Sequence, residues 1–317
     1  MCNYGLSGPV SPAEMVGFVR EGLASINRPI TELYVSPSGS LLDELEVPAE
    51  ARRSILRMVN GFPSERFSFE TRPITVTQSV IDELHELVPS KQIAIGFGLE
   101  SANPWVLRNC INKTGANDEF ASAAGRLLDI DLYANVSLGS AFLSPAEAVE
   151  DTVRSAEWAL EHGADIVLVF PMHVKRYTLL EWLYQHGLYE PPSLWSLIEV
   201  LQRLESSCIP RVSISWYRSD YGADPNIVAS PATCPQCEED VTATLDEFRA
   251  NSSLGAVNRL RELECECRKA WGEQLKMPAD PLTERVFGVY RLIAKEIGLT
   301  DWWEENASAL AAEMSVE

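Results

Sequence analysis

The chain has no apolar run approaching the ~20 residues that a membrane-spanning helix needs, and its start lacks the basic flank and apolar core of a signal peptide. Both absences point to a cytoplasmic protein. Positive charge is short as well: 26 Lys and Arg stand against 46 Asp and Glu, a formal net charge of −20. Nucleic-acid affinity rests largely on cations that neutralise phosphates, so a broad phosphate-binding face is excluded and only a local basic patch stays open. Internal repeats of ~20–50 residues are missing, which removes solenoid architectures.

What is present is a folded composition: 317 residues, 46% hydrophobic, 23% charged, with eight Trp. This length fits one large α/β domain, or a domain of about 230 residues with an appendage of about 85. The seven cysteines are an odd number, and four form two tight pairs, Cys234-Pro-Gln-Cys237 and Cys265-Glu-Cys267. Without a secretion signal, such pairs point to metal before disulfides. Four thiolates make a closed tetrahedral set for structural zinc, and could also hold a second iron–sulfur cluster. Zinc is the commoner use of a closed site without a redox role. Cys110 and Cys208 read as small buried hydrophobes.

Ser11-Pro12-Ala13-Glu14 is a capping box with Pro at the first helical position and predicts a helix over 12–26. Apolar strands are expected over 32–36, 66–70, 93–99, 132–138, 166–170 and 212–216. Helical patterns over 48–60, 77–88, 117–130, 145–162 and 179–207 separate them. Strands alternating with right-handed crossovers give a parallel sheet, here a partial (βα)6 TIM-like barrel. A domain boundary is expected near residue 220: residues 1–220 form the barrel, and 221–317 a four-cysteine metal module with a helical tail joined at Gly298.

In such barrels reactive groups lie at the C-terminal strand ends. Those ends carry Ser36-Pro37-Ser38-Gly39-Ser40, Glu70-Thr71-Arg72-Pro73, Gly98-Leu99-Glu100-Ser101 and Pro171-Met172-His173. Gly39 lets backbone groups approach a ligand closely, although a plain βα turn uses the same residues. Glu70 beside Arg72 is either a site pair or a solvated ion pair worth little. Gly96-Phe97-Gly98 opens like a dinucleotide fingerprint but lacks the third glycine and the distal acid, so a Rossmann reading is weak. His173 is the histidine at the active face; His85, His162 and His186 lie on helices as surface or packing residues.

Taken together, these strings resemble the radical S-adenosylmethionine (SAM) superfamily, in particular archaeosine synthase radical SAM subunits, with a core similar to the elongator catalytic subunit. The family's cluster motif ends in Cys-x-x-x-Cys-x-Met-Cys, then a small or polar residue and an aromatic one; Met1-Cys2-Asn3-Tyr4 matches its last four positions. Ser-Gly-Ser at 38–40, Glu-Thr-Arg-Pro at 70–73, Gly-Leu-Glu-Ser at 98–101 and Asn112-Lys113 match strand-end motifs of the relatives. The strings Phe170-Pro171-Met172-His173-Val174-Lys175-Arg176-Tyr177-Thr178 and Gly187-Leu188-Tyr189-Glu190-Pro191-Pro192-Ser193-Leu194-Trp195-Ser196 are similar to theirs too. One departure is Gly139-Ser140-Ala141, where relatives tend to have Lys-Pro-Pro, which bears on substrate identity.

The resemblance implies a 4Fe-4S cluster with Cys2 as third ligand, and SAM held by Ser38, Gly39, Ser40, Glu70, Arg72, Glu100 and Ser101. Lys113 and His173 would line the substrate space. It implies a 5′-deoxyadenosyl radical, work on a lysine-modified 7-deazaguanine in tRNA, a transglycosylase-like partner and an electron donor such as ferredoxin or flavodoxin. A small metabolite or peptide is the alternative substrate. The strong acidity favours that alternative unless a partner carries the RNA. It also implies that the first strand and two cluster cysteines lie upstream of Met1, because an internal methionine is taken as the start. A true truncation would instead leave a non-catalytic metal-binding scaffold. Translating the DNA upstream of the Met1 codon separates the two: an in-frame Cys-x-x-x-Cys ending two positions before Met1 is expected.

Overall fold

The structure, a computed structural model, describes residues 8–36, 39–218 and 224–315. Its strands are β1 (Glu32–Tyr34), β2 (Arg66–Thr71), β3 (Gln92–Glu100), β4 (Asp131–Leu138), β5 (Ile166–Pro171), β6 (Val174–Lys175), β7 (Val212–Ile214) and β8 (Ile227–Ala229). Six of them form one sheet in the order β1-β2-β3-β4-β5-β7, every neighbour parallel. Sheet order follows chain order, so each crossover steps one place along the sheet and the helices collect on one face. The result is the expected parallel half-barrel. β6 and β8 pair antiparallel beside it.

Side chains alternate along a strand, and the alternation here sorts two faces. Phe67, Phe69, Ile93, Ile95, Phe97, Leu132, Ala134, Val136, Val167 and Val169 are buried and share a core with Ile55, Leu56, Ile81, Leu84, Ala156 and Leu201 from the helices. Each fully buried Phe contributes on the order of 2–3 kcal/mol. The opposite, inner face carries Ser68, Glu70, Gly96, Gly98, Tyr133, Asn135, Ser137, Leu168, Phe170 and Ser213. Parallel sheets ordinarily bury both faces under apolar residues. A polar inner face therefore marks the side where the molecule keeps its chemistry.

Several expected elements differ in detail: the strand expected over 32–36 ends at Tyr34, and the helix expected over 117–130 ends at Ala124, before Gly125. The helix expected over 179–207 is two, Leu179–Gln185 and Leu194–Arg203. Gly187 at φ 67° turns the chain left-handed, and Pro191-Pro192 cannot continue a helical hydrogen-bond ladder. The strand expected over 212–216 ends at Ile214, because Trp216 sits at φ 58°.

The helices Leu282–Glu296 and Thr300–Met314 return to the C-terminal strand ends. Val286 joins Val106, Cys110, Ala141, Phe142, Val174, Leu180 and Leu183 in a second apolar cluster built from residues just past β3, β4 and β5. Polar ties reinforce it: Trp105 Nε1 donates to the Met314 carbonyl at 2.7 Å, and Arg285 grips both carboxylate oxygens of Glu147 at 2.7 and 2.5 Å. Glu147 is also the capping-box partner of Ser144, which fixes the start of the helix Pro145–Glu161. Arg285→Met is expected to cost roughly 1–2 kcal/mol, since the pair is charge-assisted but partly solvated. A melting curve reads this as a Tm lower by a few degrees.

Candidate functional site

Glu70 and Glu100 converge on β4. Glu70, on β2, accepts a hydrogen bond from Asn135 Nδ2 at 2.8 Å; Glu100, at the end of β3, accepts one from Ser137 Oγ at 2.6 Å. Both carboxylates reach β4 because glycine lies where each is carried. A Cβ on Gly96 would meet Glu70 Cγ at 3.2 Å, and one on Gly98 would meet Glu100 Oε1 at 2.7 Å. Lys113 Nζ stands 4.0 Å from Glu100 Oε1 and also donates to the Gly98 carbonyl. The register of β3 against β4 shifts between Gly98 and Glu100, and Glu100 takes φ 67°. Such left-handed backbone is costly for a residue with a side chain and is held only where its surroundings determine it.

On the neighbouring rim, Ser40 fastens the loop after β1 to β2. Its Oγ lies 2.6 Å from Thr71 Oγ1 and accepts from the Arg72 amide at 3.1 Å, while its own amide donates to Glu46 at 2.6 Å. Glu46 folds over Gly39, which leaves no room there for a side chain. Arg72 is half exposed and pairs with Asp43, with Glu46 at 3.9 Å. Ser101, although next to Glu100, is fully buried and turned outward: its hydroxyl donates to Asp151 Oδ1 at 2.7 Å. Burial pushes the Asp151 carboxyl up to about 6 against the Ser101 hydrogen bond and Arg154. Its folded form binds a proton more tightly than the unfolded chain, so this group's contribution to stability is lost as pH rises from ~4 to about 6. Asp151→Asn is therefore expected to melt above the parent protein at pH ~7.5 and level with it near pH ~4.

His173 lies apart from the carboxylates, past the end of β5. Its Nε2 donates to the Trp216 carbonyl at 2.6 Å and its Nδ1 faces Ser230 Oγ at 3.0 Å. Burial lowers its pKa, Lys175 adds to that, and the Trp216 hydrogen bond opposes it, so the ring is neutral at pH 7. A groove of about 1460 Å³ lies between the loop after β4, with Gly139 and Phe142, and the tail helices around Arg285 and Trp303. Cys2 and Ser38 fall outside the described residues.

The four tail cysteines come together. Their sulfurs all lie within 4.8 Å of one another, with Cys234–Cys237 at 3.7 Å and both Cys234–Cys265 and Cys237–Cys267 at 3.5 Å. A tetrahedral ion with metal–sulfur bonds of ~2.3 Å sets its sulfurs about 3.8 Å apart. The donor set thus fits one ion; a cubane, with each thiolate on a separate iron, needs them wider. Cys265 precedes the helix Glu266–Gln274 and Cys267 lies in its first turn, where amide dipoles favour thiolates. Buried Trp195 donates its Nε1 to Cys267 Sγ at 3.1 Å, and the Arg268 guanidinium lies 5.2 Å over the Trp195 ring. Trp195 belongs to the sheet-covering core, so the cysteine site is tied to the barrel.

Sequence reasoning singled out neither Asn135 nor Ser137, and Trp195 entered only within a matching string, with no role at the cysteines. The first two were visible in the alternation of β4, where Tyr133, Asn135 and Ser137 interrupt an apolar series every second residue. Trp195 left no local signal, since its sulfur partner is 72 residues away.

The six-stranded parallel half-barrel, its sheet order and its polar inner face define a partial (βα)6 barrel fold. Archaeal Elp3 of Methanocaldococcus infernus superposes at a TM-score of 0.51 with 18% identity, over 75% of this chain and 61% of that one, a likeness of fold alone. Within this class the chain is similar to archaeosine synthase subunit beta. It is 28% identical to that protein of Methanosarcina acetivorans over 284 residues, 87% of this chain and 80% of the relative. It is 28% identical over 283 residues to the protein of that name from Thermococcus kodakarensis, 86% of this chain and 84% of the relative. No family model matches.

Proposed function

We propose that this chain is a radical SAM enzyme acting on a 7-deazaguanine in tRNA, beside a transglycosylase-like partner. The observation that carries the reading is the convergence of Glu70 and Glu100 on Asn135 and Ser137 at the polar strand ends. The likeness to proteins named archaeosine synthase subunit beta supports the substrate class and, through the word subunit, a partner. When bound, the 4Fe-4S cluster and SAM supply a 5′-deoxyadenosyl radical, with an electron from a ferredoxin or flavodoxin. Cys2 would be one ligand of that cluster.

The chain's own residues bind and orient. Glu70 and Glu100 offer acceptor oxygens to SAM hydroxyl or amino groups, and Ser38, Gly39 and Ser40 provide the loop against its methionine end. Arg72, already paired with Asp43, stiffens that loop. Ser101 completes the turn behind Glu100. Lys113 and neutral His173 would line the substrate space from opposite sides. The four tail cysteines hold a structural zinc, because sulfur spacings of 3.5 to 3.7 Å suit a single ion. We take residue 220 as the division between barrel and metal-bearing clamp.

The net charge of −20 favours a second reading, a small metabolite or peptide as substrate. The deciding experiment expresses the native gene anaerobically, reconstitutes with iron and sulfide, and measures 5′-deoxyadenosine from SAM under reduction. Its formation is expected; its absence from a cluster-loaded protein overturns the enzyme reading. A tRNA gel shift at moderate salt, with and without a transglycosylase, then separates the substrates: no shift in either lane removes the tRNA reading.

A further inference from the structure

We infer that Asp151, Thr152 and Ser155, on the helix behind the sheet, are positioning residues that hold Glu100 in its left-handed conformation with its carboxylate against Ser137. The inference rests on the reading of Glu100 as a SAM contact. Asp151 Oδ1 accepts from Ser101 Oγ at 2.7 Å, and Ser101 Oγ in turn accepts from the Asn103 amide at 3.0 Å. Ser155 Oγ accepts from the Ala102 amide at 2.7 Å. Thr152 Oγ1 shares its proton between the Ala148 carbonyl at 2.7 Å and the Ser137 carbonyl at 3.0 Å, and Ser137 is the residue whose hydroxyl binds Glu100. One stretch of helix thus fixes both the backbone after Glu100 and the strand that receives its side chain.

Packing alone does not call for these side chains. The rest of the helix's inward face is Ala148, Val149, Val153, Ala156, Ala159 and Leu160, which would cover the sheet without a polar group. Thr152 and Ser155 are fully buried, and burying a hydroxyl is costly unless it is hydrogen-bonded. Asp151 carries a greater burden: its Oδ2 is shut from water and has no partner among the described residues. Polar groups placed at such a cost, Asp151 and Ser155 at the turn that carries a strained glutamate and Thr152 at the strand that receives its side chain, fit a device that fixes this carboxylate. Asn117 Nδ2 adds a bond to the Ala102 carbonyl at 2.7 Å from the following helix.

The test compares Asp151→Ala, Asp151→Asn and Ser155→Ala in the full chain by two readouts. The first is deuterium exchange of peptides covering residues 99–104; the second is SAM affinity of the reconstituted protein by calorimetry. Asp151→Ala is expected to speed exchange at the Ala102 and Asn103 amides and to weaken SAM binding about tenfold, the worth of one good hydrogen bond. Asp151→Asn keeps an acceptor for Ser101 and should stay within about twofold of the parent in both. Should Asp151→Ala fail to fold, Ser155→Ala removes one hydroxyl and carries the same expectations. Unchanged exchange in the alanine variants overturns the proposal, as does equal SAM weakening by Asn and Ala. A parent holoenzyme that does not bind SAM overturns the reading of Glu100 instead, and the exchange arm then decides the clasp by itself.

Discussion

Cys237→Ser is expected to abolish binding of the zinc proposed at the tail cysteines and to lower the melting temperature by many degrees. Three of the sulfur pairs stand 3.5 to 3.7 Å apart and all four sulfurs lie within 4.8 Å of one another, a spacing that suits four thiolates around a single ion. Cys237 is the buried member of the set, and the helices Glu238–Asn251 and Leu254–Glu262 lie between the two cysteine pairs. Binding of a structural zinc is worth on the order of 10 kcal/mol or more in small zinc domains, so losing one thiolate costs several. The loss would not stay local, because Trp195 links Cys267 to the core under the sheet. Elemental analysis should find one zinc per parent chain and none in the variant. Four irons with matching sulfide at these cysteines would replace zinc by a cluster.

Gly98→Val is expected to abolish most SAM binding while leaving the fold intact. Its Cβ would stand 2.7 Å from Glu100 Oε1 and 3.4 Å from Lys113 Nζ, so the carboxylate that Ser137 holds by Oε2 must shift from its present place. Valine suits a strand better than glycine, so stability should hold or rise. A loss of affinity of roughly 30-fold or more with unchanged Tm is the expected result, as binding loses a preorganised charged acceptor. Gly17→Ala, with nothing within 4 Å of the new atom, is the control. Undiminished affinity in Gly98→Val would remove Glu100 from the binding site.

The alternation of strands and helices was legible because the outer strand faces are apolar, as at Val167 and Val169, and some helices begin on a capping box, as at Ser11 and Ser144. The cysteine site was legible because its ligands come in tight pairs. The inner face was less so. Strands read as apolar runs hide the every-other-residue polarity of Tyr133, Asn135 and Ser137, although the pattern is there to count. The clasp at Asp151, Thr152 and Ser155 had no signature at all, since short polar residues on a helix look like its solvated side until the partner strand is known. The break at Gly187 was obscured because Leu179, Leu183, Leu194 and Leu197 keep an apolar rhythm across it.

The grip of Arg285 on Glu147 spans 138 residues of chain. A ribosome adding ~5–20 residues each second takes on the order of 10–30 s to cover that distance, long after the strands of the barrel have emerged. During this interval Glu147 is occupied by the Ser144 amide 2.7 Å away, so the nascent helix is already capped while its later partner is still being made. The tie between the loop past β4 and the tail helix therefore cannot form before residue 285 has been made.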